Sequence, residues 1–227
     1  MGYVGSTLTR FLKKTHQDIE LIGYDTSFFG HSLTGADFIP EKGISIQHLG
    51  DIRSISHSIL KGVDAIVHLA GVSNDPIGHE FEDVTSDINQ HASVQLAKMA
   101  SLAGVKNFVF ASSCSMYGNS SNGARKESDT TNPLTAYALS KIGTENELKN
   151  IDLGEMNFTS LRFATACGWS NRLRLDLVLN DFVACAITSG EITVLSDGTP
   201  WRPLIDVDDM SRAITWAIFR PKNNGGQ

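Results

Sequence analysis

Tyr137 and Lys141 stand four residues apart in the run Tyr-Ala-Leu-Ser-Lys. On a helix that spacing places both side chains on one face. A nearby ammonium favours phenolate over phenol and draws a tyrosine pKa down from about 10 towards neutrality. Such a tyrosine acts as a general base, or in the reverse direction as a general acid. A second segment, Ala111-Ser-Ser-Cys-Ser-Met-Tyr-Gly118, leaves the end of a predicted strand and offers the Ser113 hydroxyl to the same chemistry. Open α/β sheets place their ligands at that carboxyl end. The Tyr–Lys spacing alone is common; its order and surroundings carry the weight.

The chain opens Met1-Gly-Tyr-Val-Gly5-Ser, and a helix follows at once. This pattern reads as the tail of a dinucleotide-binding glycine turn. Gly2 would let the backbone approach a pyrophosphate, and Gly5 would let the helix pack close to a sheet. The helix start adds free amides and the positive end of a dipole. Asp25, 20 residues beyond Gly5, ends the next predicted strand, where a carboxylate accepts hydrogen bonds from ribose hydroxyls and opposes the extra phosphate of NADP. The plainer alternatives are a glycine-containing helix start and a solvated turn aspartate.

These residues need a scaffold, and the apolar pattern supplies one. Ile19–Tyr24, Ala65–Leu69, Asn107–Ala111 and Phe158–Phe163 read as buried strands. Helices are predicted from about Glu82 to Leu102 and from Thr135 to Lys149. Alternation of this kind predicts an α/β fold, a doubly wound, Rossmann-like parallel sheet. The polar stretch Gly118–Pro133 reads as a covering loop. Past Gly168 the character changes, with an apolar helix to Thr188 and a short strand over Ile192–Leu195. The expected organisation is a dinucleotide-binding domain over 1–168, the start of a smaller substrate lobe over 169–200, and a return segment over 201–227. No first strand or first glycine precedes Gly2, and the chain stops at Gln227, so part of a longer gene product is expected.

Composition narrows the classes. The 227 residues are 41% hydrophobic and 19% charged, as in a globular domain. A formal charge of -6 leaves no basic excess for phosphates, so no nucleic-acid partner is expected. Cys114, Cys167 and Cys185 lack metal spacing and cannot all pair, which points to a reducing, cytoplasmic setting. No apolar run approaches a membrane span, so no membrane partner is expected.

Taken together and in order, the motifs resemble the extended short-chain dehydrogenase family, over nearly the whole chain. Gly2-Tyr3-Val4-Gly5 is similar to its nucleotide turn, Asp25 to its ribose acid, and Asp51-Ile52 to its adenine contact. His68-Leu69-Ala70-Gly71 is similar to the segment that passes under the cofactor, and Asn89 to the helix asparagine that braces the active-site strand. Ser113, Tyr137 and Lys141 match the catalytic set, with Tyr137 and Lys141 also meeting the cofactor. Leu161-Arg-Phe-Ala-Thr-Ala-Cys-Gly168 resembles the family's Leu-Arg-x-x-Asn-Val-Tyr-Gly segment. Trp201-Arg-Pro-Leu-Ile-Asp-Val-Asp-Asp209 resembles a block whose arginine holds a substrate diphosphate.

The resemblance implies NAD as cofactor and a nucleoside-diphosphate sugar as substrate, met by Ser113, Thr165, Arg172, Asn180 and Arg202. It also implies a homodimer when the protein is complete. Tyr137 would deprotonate a sugar hydroxyl, at C4, while the carbon gives hydride to NAD, and Ser113 would bond the same oxygen. Family dehydratases carry Asp-Glu after the catalytic Ser/Thr; Cys114 and Ser115 stand here, so epimerisation like that of UDP-glucose 4-epimerase is expected. Thr165 and Asp206 depart from the family's asparagine and histidine, which leaves sugar and base open. Residue by residue, plainer roles compete: His68 as a packed strand end, Arg172 and Arg174 as solvated residues. A 4,6-dehydratase, an NAD(P)-linked reductase and a non-catalytic nucleotide-binding module are the alternatives.

Overall fold

The computed structural model describes residues 1–35, 39–73, 78, 80–118, 123–199 and 201–221. Part of the predicted covering loop, 119–122, and the last six residues of the return segment lie outside them.

In chain order the elements are α1 (Tyr3–Thr15), β1 (Ile22–Asp25), β2 (Ile46–Leu49), β3 (Ala65–His68), α2 (Glu82–Ser86), a π-helical turn (Asp87–His91) and α3 (Ala92–Leu102). After these come β4 (Asn107–Ser113), α4 (Ala136–Lys149), β5 (Asn157–Phe163), β6 (Thr165–Cys167), α5 (Val178–Thr188), β7 (Leu204–Asp206) and α6 (Val207–Phe219). Every strand pair is parallel: β1 with β2, β3-β4-β5 in that order, and β6 with β7. The fold is the parallel α/β class that the alternating pattern predicts.

The chain forms two compact units. The first comprises Met1–Leu49 and Ala164–Ala213; the second comprises Gly50–Phe163 and Ile214–Gln227. In the first, α1 buries Tyr3, Leu8 and Leu12. Its start is tied down by the Tyr3 hydroxyl, which donates to the Gly168 carbonyl at 2.7 Å, and by Ser170 Oγ, which donates to the Tyr3 carbonyl at 2.8 Å.

In the second unit the core gathers Leu60, Val94, Ala97, Ala100, Phe108, Phe110 and Leu148. Ala97 and Ala100 of α3 are fully buried and share this core with Phe108 and Phe110 of β4. Gly104 ends α3 in the left-handed region (φ 82°), where a side chain would be strained. α4 starts where Thr135 caps it, its hydroxyl accepting from the Ala138 amide at 3.2 Å.

Some expectations are corrected. Ile192–Leu195 forms no strand: these residues are exposed and no strand among the described residues pairs with them. The strand predicted over Ile19–Tyr24 starts at Ile22 and reaches Asp25. The helix predicted from Glu82 to Leu102 is interrupted by the π-helical turn.

Candidate active site

β4 is the middle strand of its sheet, and Ser113 is its last residue. The chain leaves it in a 3₁₀ turn, Cys114–Tyr117, which Ser113 caps by accepting the Ser115 amide at 3.2 Å. Gly118 follows at φ 62°, and a Cβ there would overlap the Asn132 carbonyl oxygen. Only glycine therefore lets the 123–133 segment press against this turn, where the Asn132 amide donates to the Met116 carbonyl at 2.8 Å.

α4 carries Tyr137 and Lys141 on one face. The Lys141 ammonium lies 5.4 Å from the Tyr137 ring centroid and 4.7 Å from that of Phe110 on β4. Lys141 is only 3% exposed, and burial pushes its pKa from 10.5 down to about 8. It is still mostly protonated at pH 7, so a positive charge sits beside the half-buried Tyr137.

The floor of this site is the segment after β3. Asn89, wholly buried in the π-helical turn, accepts from the Val72 amide at 2.7 Å and donates to the Val72 carbonyl at 2.8 Å. The expected brace thus falls on Val72 and not on the strand that carries Ser113. A planar carboxamide can satisfy both backbone groups of one residue, much as a neighbouring strand would. The Asn89 carbonyl in turn accepts from the Ser93 and Thr144 hydroxyls at 2.6 and 3.2 Å. Such turns recur at functional sites. Next to Val72, a Cβ on Gly71 would come within 3.0 Å of Asn89 Oδ1 and 3.8 Å of Lys141 Nζ. The segment can therefore approach Asn89 and Lys141 this closely because Gly71 has no side chain. Ahead of Gly71, Leu69 and Ala70 follow His68, which is buried and bonded to Ser93 Oγ at 2.7 Å. Burial, then the Lys141 charge, push His68 down to about 3, so it is neutral and packed.

One cluster beside this site was not foreseen. Glu145, one turn beyond Lys141 and 2% exposed, accepts from Ser112 and Ser160 hydroxyls at 2.6 and 2.7 Å. Arg162 grips the same carboxylate through Nη2 at 2.7 Å and Nε at 3.1 Å. Burial pushes the Glu145 pKa up, but the bonds from Arg162, Ser112 and Ser160 outweigh it and hold the carboxyl below its ordinary value. The signal was present as a third residue on the Tyr137–Lys141 spacing.

Other expected residues lie as follows. In the first unit, the amides of Tyr3, Val4 and Gly5 precede the first helical bond, from Ser6 to Gly2, and so lack intrahelical acceptors. A Cβ on Gly2 would meet nothing within 4 Å. The turn is open at Gly2 and lined by backbone amides. The half-buried Asp25 side chain accepts the Ser27 amide at 2.6 Å and meets the amino group of Met1. Thr165 begins β6 and donates its amide to the Pro203 carbonyl at 3.1 Å, with the exposed Arg202 next along the chain. In the second unit, Asp51 caps a short turn that starts at Ile52, and Arg53 holds its carboxylate at 2.6 Å.

Two residues expected on the substrate side have partners within the protein. Arg172 is 3% exposed and donates to the Phe29 and Gly30 carbonyls at 3.0 and 3.1 Å, with Glu41 pairing its charge at 3.1 Å. Asn180 accepts from the Gly168 amide and donates to the Arg174 carbonyl, both at 3.0 Å. A buried arginine or amide must find partners, and here the protein supplies them.

Among the described residues no group of His, Cys, Asp and Glu is arranged to hold a metal, and no helix is long and apolar enough to cross a membrane. A model of the NAD dependent epimerase/dehydratase family matches residues 1–227. The uncharacterized UDP-glucose epimerase YtcB of Bacillus subtilis is 26% identical over 97% of this chain and 71% of its own. The UDP-glucose 4-epimerase of Yersinia pestis is 28% identical over 74% of this chain and 51% of its own. Among solved structures, MoeE5 in complex with UDP-glucuronic acid and NAD superposes with a TM-score of 0.81 at 26% identity, covering 99% of this chain and 71% of that one.

Proposed function

The chain belongs to the NAD dependent epimerase/dehydratase family, and we propose that it epimerises a nucleoside-diphosphate sugar at C4 through a 4-keto intermediate. The observation that carries this reading is the buried Lys141 ammonium beside Tyr137, on a helix bonded to the strand that ends in Ser113. NAD, when bound, supplies the acceptor and later the donor of hydride. Gly2, Tyr3, Val4, Gly5 and Asp25 are the residues to hold it, with Asp51, Ile52, Leu69, Ala70, Gly71 and Lys141. Tyr137 as phenolate takes the C4 hydroxyl proton as the C4–H bond breaks, leaving a ketone. Ser113 donates a hydrogen bond to that oxygen. Tyr137 returns the proton after the sugar has turned over, and Arg202 pairs with the diphosphate.

Epimerisation is favoured over dehydration because Cys114 and Ser115 follow Ser113 directly and neither is a carboxylic acid. The similarity to UDP-glucose epimerases supports UDP-glucose as the first sugar to try. The reading includes a homodimer in the cytoplasm. Three cysteines, Cys114, Cys167 and Cys185, that lack metal spacing and cannot all pair support the compartment, and the family resemblance supports the assembly.

The test is turnover of UDP-glucose with NAD by the purified protein and its Tyr137→Phe variant. Phenylalanine keeps the ring under the Lys141 charge and removes only the ionisable oxygen. Turnover should fall by about 10²–10⁴-fold with NAD affinity retained. Near-normal turnover in Tyr137→Phe would remove Tyr137 from the chemistry and leave the nucleotide-binding module as the better reading.

A further inference from the structure

Glu145 lies outside the proposed reacting set, yet its carboxylate is among the most heavily bonded side chains in the second unit. It sits on α4 two turns beyond Tyr137 and one beyond Lys141, so the three share a face. Its partners come from two strands. Ser112 belongs to β4 and directly precedes Ser113; Ser160 and Arg162 belong to β5. Arg162 sits opposite Ser112 in the β4–β5 register. Its remaining nitrogen donates to the Tyr117 hydroxyl at 2.7 Å and the Glu127 carbonyl at 3.0 Å. One buried carboxylate therefore joins α4, both strands, the 3₁₀ turn after Ser113 and the 123–133 segment.

We propose that Glu145, through Ser112 and Arg162, is the positioning residue that sets the height and rotation of α4 against β4, and so the placement of Tyr137 and Lys141 relative to Ser113. This rests on the proposed acid–base roles of those three residues. A helix resting on Phe110 by apolar contact can slide or roll at little cost, because apolar attraction has no direction. Hydrogen bonds fix direction, and a two-pronged arginine–carboxylate pair fixes it in two dimensions. Acid–base transfer needs heavy atoms within about 2.6–3.2 Å, so a slip of 1 Å at Tyr137 takes the pair out of reach. The carboxylate touches no reacting atom. Its contribution is geometric.

The experiment compares the native protein with Glu145→Ala and Glu145→Gln. The glutamine variant keeps the shape and covers the case in which alanine does not fold. One readout needs no turnover: the titration of Lys141, followed by NMR of lysine-labelled protein. A released α4 admits water to Lys141, and its pKa should climb from about 8 towards 10.5, by roughly one unit or more. The other readout is steady-state turnover of UDP-glucose with NAD, where kcat should fall about tenfold or more while KM moves less than about twofold. Lys141 titrating near 8 in both folded variants overturns the proposal, and so does a loss confined to KM. Absence of turnover in the native protein would instead count against the proposed function, and the titration would still decide the role of Glu145.

Discussion

Lys141 shows how one side chain trades stability for chemistry. Its ammonium has left water for the faces of Phe110 and Tyr137, and those rings repay only part of the lost hydration. The folded chain holds this proton less tightly than the unfolded one, with a pKa near 8 against 10.5. Between those values the unfolded state binds more protons, so stability rises with pH across the window, and below pH 8 the whole cost is present. Lys141→Met fills the same space without charge. It should be more stable than the native protein by about 2–3 kcal/mol at pH 7, with the gap closing between pH 8 and 10.5. Urea unfolding of both proteins across that range checks this, and a methionine variant less stable at pH 7 would refute it. The Tyr137–Lys141 pair was legible in the sequence because helix spacing is local. Glu145 shares that spacing, but its meaning depends on Ser160 and Arg162, which only the folded strands bring near. Arg172 and Arg202 look alike as letters. Burial separates them, and burial of a single charged residue is not a local property.

At the scale of elements, the π-helical turn between α2 and α3 links three parts of the second unit. The Asn89 carbonyl takes hydroxyls from α3 and α4, the Asn89 side-chain amide holds Val72, and Ser93 passes the connection to His68 at the end of β3. Burial, then the Lys141 charge, keep His68 neutral within this chain of bonds. Its folded pKa of about 3 lies below the usual 6.5, so as pH falls from 6.5 towards 3 the unfolded state gains a proton that the folded state refuses. Stability is lost over that window at up to about 1.4 kcal/mol per pH unit. His68→Leu gives up the Ser93 bond and should be weaker at pH 7, but its stability should fall less steeply between pH 6.5 and 4.5. Parallel curves for the two proteins in urea unfolding would show that His68 does not set the acid sensitivity. The long elements were legible because their apolar periods are long. The short strands β2, β6 and β7, of three or four residues, carry too little pattern to be seen alone. Ile192–Leu195 has a strand's composition, but no strand among the described residues pairs with it, and composition does not supply one.

At the scale of the whole molecule, the chain passes between its two units at 49/50, 163/164 and 213/214, so neither unit is one continuous stretch. A ligand that binds only the folded protein is linked to the folding of whatever holds it, and stabilises by about 2.7 kcal/mol at a concentration one hundred times its Kd. NAD should therefore raise the unfolding temperature in a dose-dependent way. NADP differs from it by one phosphate on the adenosine ribose, where Asp25 is expected to accept hydroxyl hydrogen bonds. The Asp25 carboxylate stands at the end of β1, with one oxygen on the Ser27 amide. A dianionic phosphate there loses those hydroxyl bonds and meets a like charge, a penalty on the order of several kcal/mol. At equal concentration NADP should give a markedly smaller thermal shift than NAD. Asp25→Asn removes the repulsion but keeps an acceptor, so the gap between the two cofactors should narrow mainly through a gain for NADP. Thermal unfolding of both proteins, titrated with each cofactor at fixed ionic strength, measures all four values. An NADP shift equal to or larger than that of NAD in the native protein would mean that Asp25 does not read the ribose.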